Sequence, residues 1–263
     1  EALQLAEQHS RNDAAGQNDL FGLAAAEKTP ARPARVAEVP EWDEAERLRG
    51  EKETLGIYLT GHPISRVAAE LAAINTTRLR DLIENGGTLR RGGDRSVLIA
   101  GLVVSLRTRN ANRGGRIAFV TLDDGSGRLE VRIFPEVYER HRQSIVEDAI
   151  VLVQGALGWD EFNQTTRFNV ERVLGLDEAR AEYARRLVVR IEARQCEAGA
   201  LRQLASILTE HRAEGRCAVW ADYIGSGARV ELAFGPNWRV KPGDGLLERL
   251  RALAGPEAVQ LRY

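Results

Sequence analysis

The chain has 263 residues, 43% hydrophobic and 29% charged, a balance typical of globular proteins with room for two domains of ordinary size. Its 37 Lys and Arg balance 38 Asp and Glu, so any contact with nucleic acid must come from a local patch of positive charge. No apolar run approaches the ~20 residues needed to cross a bilayer, so we expect a cytoplasmic protein without a membrane partner. Cys196 and Cys217 lack the spacing of zinc or disulfide frameworks, and four scattered histidines add no metal or cofactor site.

The first residues have a helical pattern that is already under way at Glu1 and extends to Asp13. The chain also contains no methionine. We therefore expect a piece of a longer polypeptide, in which residues 1–16 are the end of an upstream helical region.

Residues 17–21, with the sequence QNDLF, are bracketed by glycines and followed at 22–41 by a flexible linker rich in Ala and Pro. No neighbouring apolar pattern exists against which Leu20 and Phe21 could pack. Burial of each in a partner's groove is worth roughly 1.5–3 kcal/mol, which predicts a linear anchor motif. The alternative is that both side chains dock on the chain's own surface. The candidate partner-binding residues are Gln17, Asp19, Leu20 and Phe21.

Residues 42–92 are predicted to form a helical segment. A charge-rich helical pattern runs over 41–59 and stops at the Thr-Gly-His-Pro breaker. A second helix is predicted over 64–73. Two Gly-Gly pairs then mark the change to a different periodicity.

Residues 93–176 are predicted to form a five-stranded OB-fold β-barrel, because five segments with period two have one helical stretch between the third and the fourth. An Asp-Asp-Gly-Ser-Gly turn closes the second and third strands, so a turn role for Asp123 and Asp124 is favoured over metal binding or catalysis. The predicted strands are 97–108, 116–123, 128–134, 150–159 and 167–174, with the helix over 135–147.

The strand alternation predicts that Phe119 and Arg132 lie on the outer face of this barrel. The loop at 107–116 holds four arginines and no acid. A basic loop beside an exposed aromatic is typical of OB-folds that hold single strands, where each stacked base adds ~1–3 kcal/mol. The alternative is a solvated loop and a Phe that closes the barrel mouth. The candidate nucleic-acid-binding residues are Arg107, Arg109, Arg113, Arg116, Phe119 and Arg132.

Residues 177–263 are predicted to form a small βαββαβ domain, which makes the whole chain α+β. Its apolar helix positions suffice for a core, and no basic stripe is apparent in the sequence, so we expect a protein-binding domain. Leu246 and Leu250 are expected in the core. Trp238, in a loop beside Gly-Pro, is the interface candidate. One apolar helix face is predicted from Leu201, Leu204, Ile207 and Leu208.

Three stretches together resemble the bacterial DNA polymerase III alpha subunit family. They are GEKETLGIYLTGHP at 50–63, TLDDGSGRLEV at 121–131, and the tail from Tyr183 with Arg-Val after Trp238. The resemblance implies a C-terminal fragment of a DNA-directed DNA polymerase, without the catalytic palm that would hold Mg²⁺. It implies that residues 17–21 bind the sliding clamp, that the barrel binds single-stranded DNA, and that the tail binds the tau subunit of the clamp loader through Trp238. A 3'-5' exonuclease is a further partner of that family.

Two alternatives stay open at this point. An aminoacyl-tRNA synthetase also pairs an OB barrel for the anticodon with a helical segment, and a stand-alone single-strand-binding adaptor is the other. Neither explains both the clamp-like peptide and the tail domain. The residues do not distinguish a replicative enzyme from a damage-associated paralogue.

Overall fold

The computed structural model describes residues 41–84, 95–111, 114–160, 165–197, 199–212, 215–225 and 227–263. The chain divides into two units, Glu1–Asp43 and Glu44–Tyr263. Of the first unit only residues 41–43 are described, and they are exposed coil. The predicted upstream helical region at 1–16, the anchor motif at 17–21 and all of the predicted linker at 22–41 except residue 41 lie outside the described residues.

The second unit begins with short helices. The first, α1, spans Glu44–Leu55, so the predicted extension to residue 59 is wrong. The chain leaves the helix at Gly56, which has a φ of +75° that favours glycine. The Glu51 carboxylate then accepts hydrogen bonds from the Leu59 and Thr60 N–H groups and from the Thr60 hydroxyl, which fixes the chain beyond the helix end.

The predicted helix over 64–73 is two elements: a 3-10 turn, Pro63–Val67, leads into α2, Ala68–Ala73. The His62 side chain accepts a hydrogen bond from the Ile64 N–H at 3.3 Å and so caps the turn. A further helix, α3 (Leu79–Glu84), was not predicted, because six residues are too few to show a helical period.

Five strands close into the predicted barrel, in the order β1-β2-β3-β5-β4. Strands β3 and β5 pair in parallel and the other pairs are antiparallel. The helix α4, Pro135–His141, lies between β3 and β4 as predicted but ends six residues earlier, because the chain enters turns after His141. The strands are β1 (Arg95–Asn110), β2 (Arg116–Asp123), β3 (Arg128–Ile133), β4 (Ile150–Asp160) and β5 (Thr165–Gly175).

The barrel interior is filled by alternate apolar side chains. Gly155 lies at a bulge where β4 crosses β5, and a Cβ there would be 2.2 Å from the Asn169 carbonyl oxygen, so only glycine lets the strands approach this closely. The predicted inward face is confirmed: Ala118, Val120, Leu122, Leu129, Val131 and Ile133 are all buried.

The predicted βαββαβ domain is confirmed, with one added short strand and one added short helix. Its sheet has the order β10-β6-β7-β8, and β9 pairs with the same edge of β7 as β8 does. Two helices, α7 and α8, belong to its core with buried Leu208 and Leu246. The elements are α5 (Leu176–Tyr183), β6 (Arg186–Glu192), α6 (Ala193–Glu197), α7 (Ala200–Glu210), β7 (Cys217–Ile224), β8 (Arg229–Ala233), β9 (Arg239–Val240), α8 (Asp244–Ala254) and β10 (Val259–Arg262).

The expected core positions Leu246 and Leu250 are fully buried. The expected helix face on α7 is confirmed for Leu204, Ile207 and Leu208. Leu201 is 48% exposed, so its expected contribution to the core is wrong; it lies in the first turn of α7.

A buried arginine joins three parts of this unit. Arg180 on α5 is 3% exposed. It donates to Glu70 on α2 through Nε and Nη2, at 3.0 and 3.1 Å, to Asp177 at 3.2 Å, and to Asp244 at the start of α8. The helical segment, the helix that follows the barrel and the last helix therefore share one guanidinium.

Candidate nucleic-acid interface

The outer face of the barrel carries an aromatic side chain between arginines. Cross-strand pairing places Arg107 of β1 opposite Phe119 of β2, Phe119 opposite Arg132 of β3, and Arg132 beside Asn169 of β5. The Arg132 guanidinium lies 5.8 Å from the Phe119 ring centroid, within cation–π range. The prediction that Phe119 and Arg132 share the outer face is confirmed.

Phe119 lies where two grooves meet. The first has a volume of about 450 Å³ and is lined by Arg128, Arg132 and Arg167, among others. The second, of about 1060 Å³, is lined by Arg109 and by the end of the basic loop. A strand of nucleic acid that crosses both grooves would pass over the Phe119 ring.

The predicted arginines differ in how their charge is balanced. Arg107 forms an ion pair with Glu130, so part of its charge is already compensated. Arg109 and Arg116 are exposed at the adjoining ends of β1 and β2, and no ion pair involves either of them in the described part of the chain. Arg113 lies outside the described residues. Arg132, in the middle of the face, likewise has no ion pair among the described residues, so uncompensated positive charge lies both there and at the loop end.

Asn169 is a residue that the sequence analysis missed. It lies in the same row as Arg107, Phe119 and Arg132, and its Oδ1 is buried without a hydrogen-bond partner in the described structure. The Asn169 amide group can accept a hydrogen bond from a base edge or donate one to it. The only sequence signal is that Asn169 takes a polar position in the alternation of β5, between Phe168 and Val170.

The Asp-Asp-Gly-Ser-Gly sequence is a structural turn, as predicted. Asp124 accepts from the N–H groups of Ser126 and Gly127 and from the Leu79 N–H at the start of α3, at 2.8, 3.0 and 2.8 Å. Burial favours the neutral form of Asp123, but hydrogen bonds from Arg128 and the Gly125 N–H outweigh it and hold the pKa of this carboxyl below its usual range. These carboxylates thus hold the hairpin and α3 in place.

Within the described ranges, no group of three or more His, Cys, Asp or Glu side chains could hold a metal ion. Cys217 is a buried free thiol, and burial raises its pKa to about 11. No helix in the same ranges is both long and apolar enough to span a bilayer.

Trp238 lies in the irregular stretch between β8 and β9. Its ring is half-buried against the core of the tail domain, 6.1 Å from the Phe234 ring in an edge-to-face arrangement. The Arg212 guanidinium lies 5.7 Å over the same ring. Trp238 therefore lies in a loop, as predicted, and its side chain is part core and part surface.

Comparison with known proteins identifies the chain. Residues 97–173 match the family described as an OB-fold nucleic acid binding domain, and residues 203–255 match the DNA polymerase III subunit alpha C-terminal domain. All of the chain aligns with DNA polymerase III subunit alpha of Escherichia coli K12, at 39% identity over 264 residues. The chain matches a C-terminal segment of the DNA polymerase III alpha subunit.

The same alpha subunit from Vibrio cholerae is 37% identical over 263 residues, again across the whole chain. The chain spans 22% of the length of these relatives. Among solved structures, the second OB-fold domain of replication protein A from Methanococcus maripaludis has 16% identity and a TM-score of 0.26, covering 31% of this chain and 84% of its own. An aminoacyl-tRNA synthetase domain is not expected to align with alpha subunits over the whole of this chain, so the comparison speaks against that alternative.

Proposed function

We propose that this part of the alpha subunit is a binding and processivity module in bacterial chromosomal DNA replication. Three contacts make up the module: the barrel holds single-stranded DNA, residues 17–21 bind the sliding clamp, and the tail domain binds the tau subunit of the clamp loader. Nucleotide addition, with its Mg²⁺ ions, is assigned to a catalytic palm outside this sequence. The row of Arg107, Phe119, Arg132 and Asn169 across four strands is the observation that carries the proposal.

The barrel face has the chemistry of a sequence-tolerant single-strand site. Phe119 offers a ring for base stacking at the junction of two grooves. Arg109 and Arg116 supply positive charge for phosphates at the loop end. Ion pairs such as Arg107–Glu130 are exposed and weak, so phosphate can displace the carboxylate at little cost.

Replacing Arg109 and Arg116 by glutamine should weaken oligonucleotide binding and reduce its dependence on salt. Each lost phosphate contact removes about 0.7 from the slope of log affinity against log salt for single strands, so the double variant should lose about 1.4. Fluorescence anisotropy of a labelled oligo-deoxythymidine across a salt series measures both quantities.

The matched control is Arg202→Gln with Arg251→Gln, which removes two exposed charges from α7 and α8 instead. It should bind with the slope of the unaltered protein. A barrel variant that keeps the full slope, or a control that loses as much, would show that the barrel loop does not contact the phosphates.

Phe119→Leu should lower the affinity for the oligonucleotide and leave the salt slope unchanged, because it removes stacking and no charge.

The tau contact is assigned to the tail because this domain has a surface aromatic, Trp238, beside an arginine, a pair of residue types enriched at interface hot spots. Strand β8 supports the assignment, because it is the exposed edge of the sheet, and its Val230 and Leu232 are 44% and 50% exposed. A partner that covers Trp238 would also reach this edge.

Trp238→Ala should reduce the affinity for tau by a factor of ten or more, on the ~2 kcal/mol scale of an aromatic hot spot. Calorimetry of tau against the whole 263-residue chain measures it, below the melting temperature of the variant, since Trp238 also packs on the core. Trp42→Ala is the control, because Trp42 is 61% exposed and lies far from the tail in sequence. Unchanged heats for Trp238→Ala would place the tau site on another surface.

A further inference from the structure

The second sheet has one covered face and one open face. Inward positions such as Leu187, Val189 and Val219 are buried in the core with α7 and α8. Residues of the other parity, such as Arg186, lie on the opposite face. Five arginines have this outward parity, and each belongs to a strand of the sheet: Arg186, Arg190, Arg229, Arg239 and Arg262.

Pairing across the strands brings these arginines together. Arg262 of β10 is opposite Arg186 of β6. Arg186 pairs in turn with Ala218 of β7, and Ala218 is opposite Arg239 of β9. Three arginines thus share one row across four strands. They are up to 76 residues apart in sequence, from Arg186 to Arg262, which is why the sequence shows no basic stripe.

The acids on this face do not balance the arginines. Asp222, 3% exposed, accepts hydrogen bonds from both Arg190 and Arg229, at 3.2 and 2.7 Å, so one carboxylate serves two guanidinium groups. Arg262 pairs with Glu231 at 3.1 Å, with both side chains more than 40% exposed. The third acid with outward parity, Glu192, pairs with Arg194.

Arg186 and Arg239 have no acidic partner within the part of the chain that is described. The Arg186 guanidinium lies instead 4.6 Å from the ring centroid of Trp220, in the next row of β7. Trp220 is half-buried on the central strands. The open face therefore combines excess positive charge with one aromatic plane.

We propose that this open face is a second binding surface for single-stranded nucleic acid, with Arg186, Arg239 and Arg262 on phosphates and Trp220 under a base. Guanidinium groups bind phosphate through paired N–H donors and also stack on planar rings, so they can stay beside Trp220 while a base approaches. Apart from Trp220 the face exposes little large apolar area, whereas a protein interface needs apolar anchors at its centre. This surface is separate from the barrel site and does not depend on it.

Arg186→Gln with Arg239→Gln tests the proposal, because neither residue holds a buried carboxylate. The substitutions are made in the whole chain already carrying Arg109→Gln and Arg116→Gln, so that the remaining binding reports the tail face. The probe is labelled oligo-deoxythymidine of ~30 nucleotides, enough for more than one such site. We expect a further loss of about 1.4 from the salt slope, for two phosphate contacts.

The control in the same background is Arg202→Gln with Arg251→Gln, which should leave the residual binding unchanged. A 5-bromodeoxyuridine oligonucleotide should crosslink to the peptide that contains Trp220, as mapped by mass spectrometry. Unchanged slope in the Arg186 and Arg239 variant, or crosslinks confined to the barrel, would overturn the proposal. Binding of polyglutamate to this face in preference to the oligonucleotide would overturn it in favour of an acidic protein partner.

Discussion

Arg180→Ala should lower the free energy of unfolding by about 3 kcal/mol, the low end of the range for removing one partner of a buried ion pair. The side chain is 3% exposed and donates to three carboxylates. Without it Glu70, 16% exposed, loses its counterion, whereas Asp177 and Asp244 are more than half exposed and remain solvated. Urea denaturation at neutral pH measures the change.

The matched control is Arg172→Ala, which removes a guanidinium paired with Glu182 at the surface. That loss should be below about 1 kcal/mol, as for exposed ion pairs generally. The loss of stability for Arg180→Lys should lie between these two values. An ammonium keeps the positive charge but lacks the planar set of N–H donors that bonds Glu70 and Asp244 together. An Arg180→Ala protein as stable as the Arg172→Ala control would show that Glu70 needs no counterion.

This arginine also shows where prediction from sequence ended. The five barrel strands and the inward set on β2 and β3 were predicted because their period of two is strong and local. In the sequence, Arg180 is one of several charged residues on a polar helix, and nothing nearby distinguishes it. Its partners lie 110 residues before it and 64 residues after it, so only the packed chain shows that it is buried.

Helix ends were predicted less well than strands. Helix α1 ends at Leu55 and α4 at His141, in each case before the pattern of helix-forming residues runs out. A glycine with positive φ decides the first end. Helix α3 is held by the Asp124 carboxylate from a hairpin 45 residues away, which no local propensity reveals.

In the candidate sites, too, residues placed by a local pattern were predicted, and residues placed by contacts between distant parts of the chain were missed. Phe119 and Arg132 were predicted on one face because both lie in strands of known parity. Asn169 was missed because its row is set by the parallel pairing of β3 with β5, and the register of such a pair is absent from the sequence. The arginines of the open face were missed for the same reason, since they come from four different strands.

The second large effect is expected from Leu20→Ala with Phe21→Ala, which should remove most of the affinity of the chain for the bacterial sliding clamp. Hot-spot anchors of this kind each cost ~2 kcal/mol or more when truncated, so the double variant should bind at least about thirtyfold more weakly, which is the loss expected from one anchor alone. Surface plasmon resonance on immobilised clamp measures the loss. Gln17→Ala should cost less, because it removes hydrogen bonds and little apolar area.

A third large apolar residue, Leu23, lies close to the anchor pair in the sequence. Leu23→Ala is the matched control, since it shortens a leucine two residues beyond Phe21 and leaves the anchor pair intact. In the proposed function, the 20 residues at 22–41 connect the clamp-binding motif to the rest of the module, and a fully extended chain of that length spans at most ~70 Å. Binding two partners at once raises the effective concentration of each, which is the physical basis of processivity. If the double variant binds the clamp as tightly as the Leu23→Ala control does, Leu20 and Phe21 pack on this chain's own surface instead, and the clamp contact lies elsewhere.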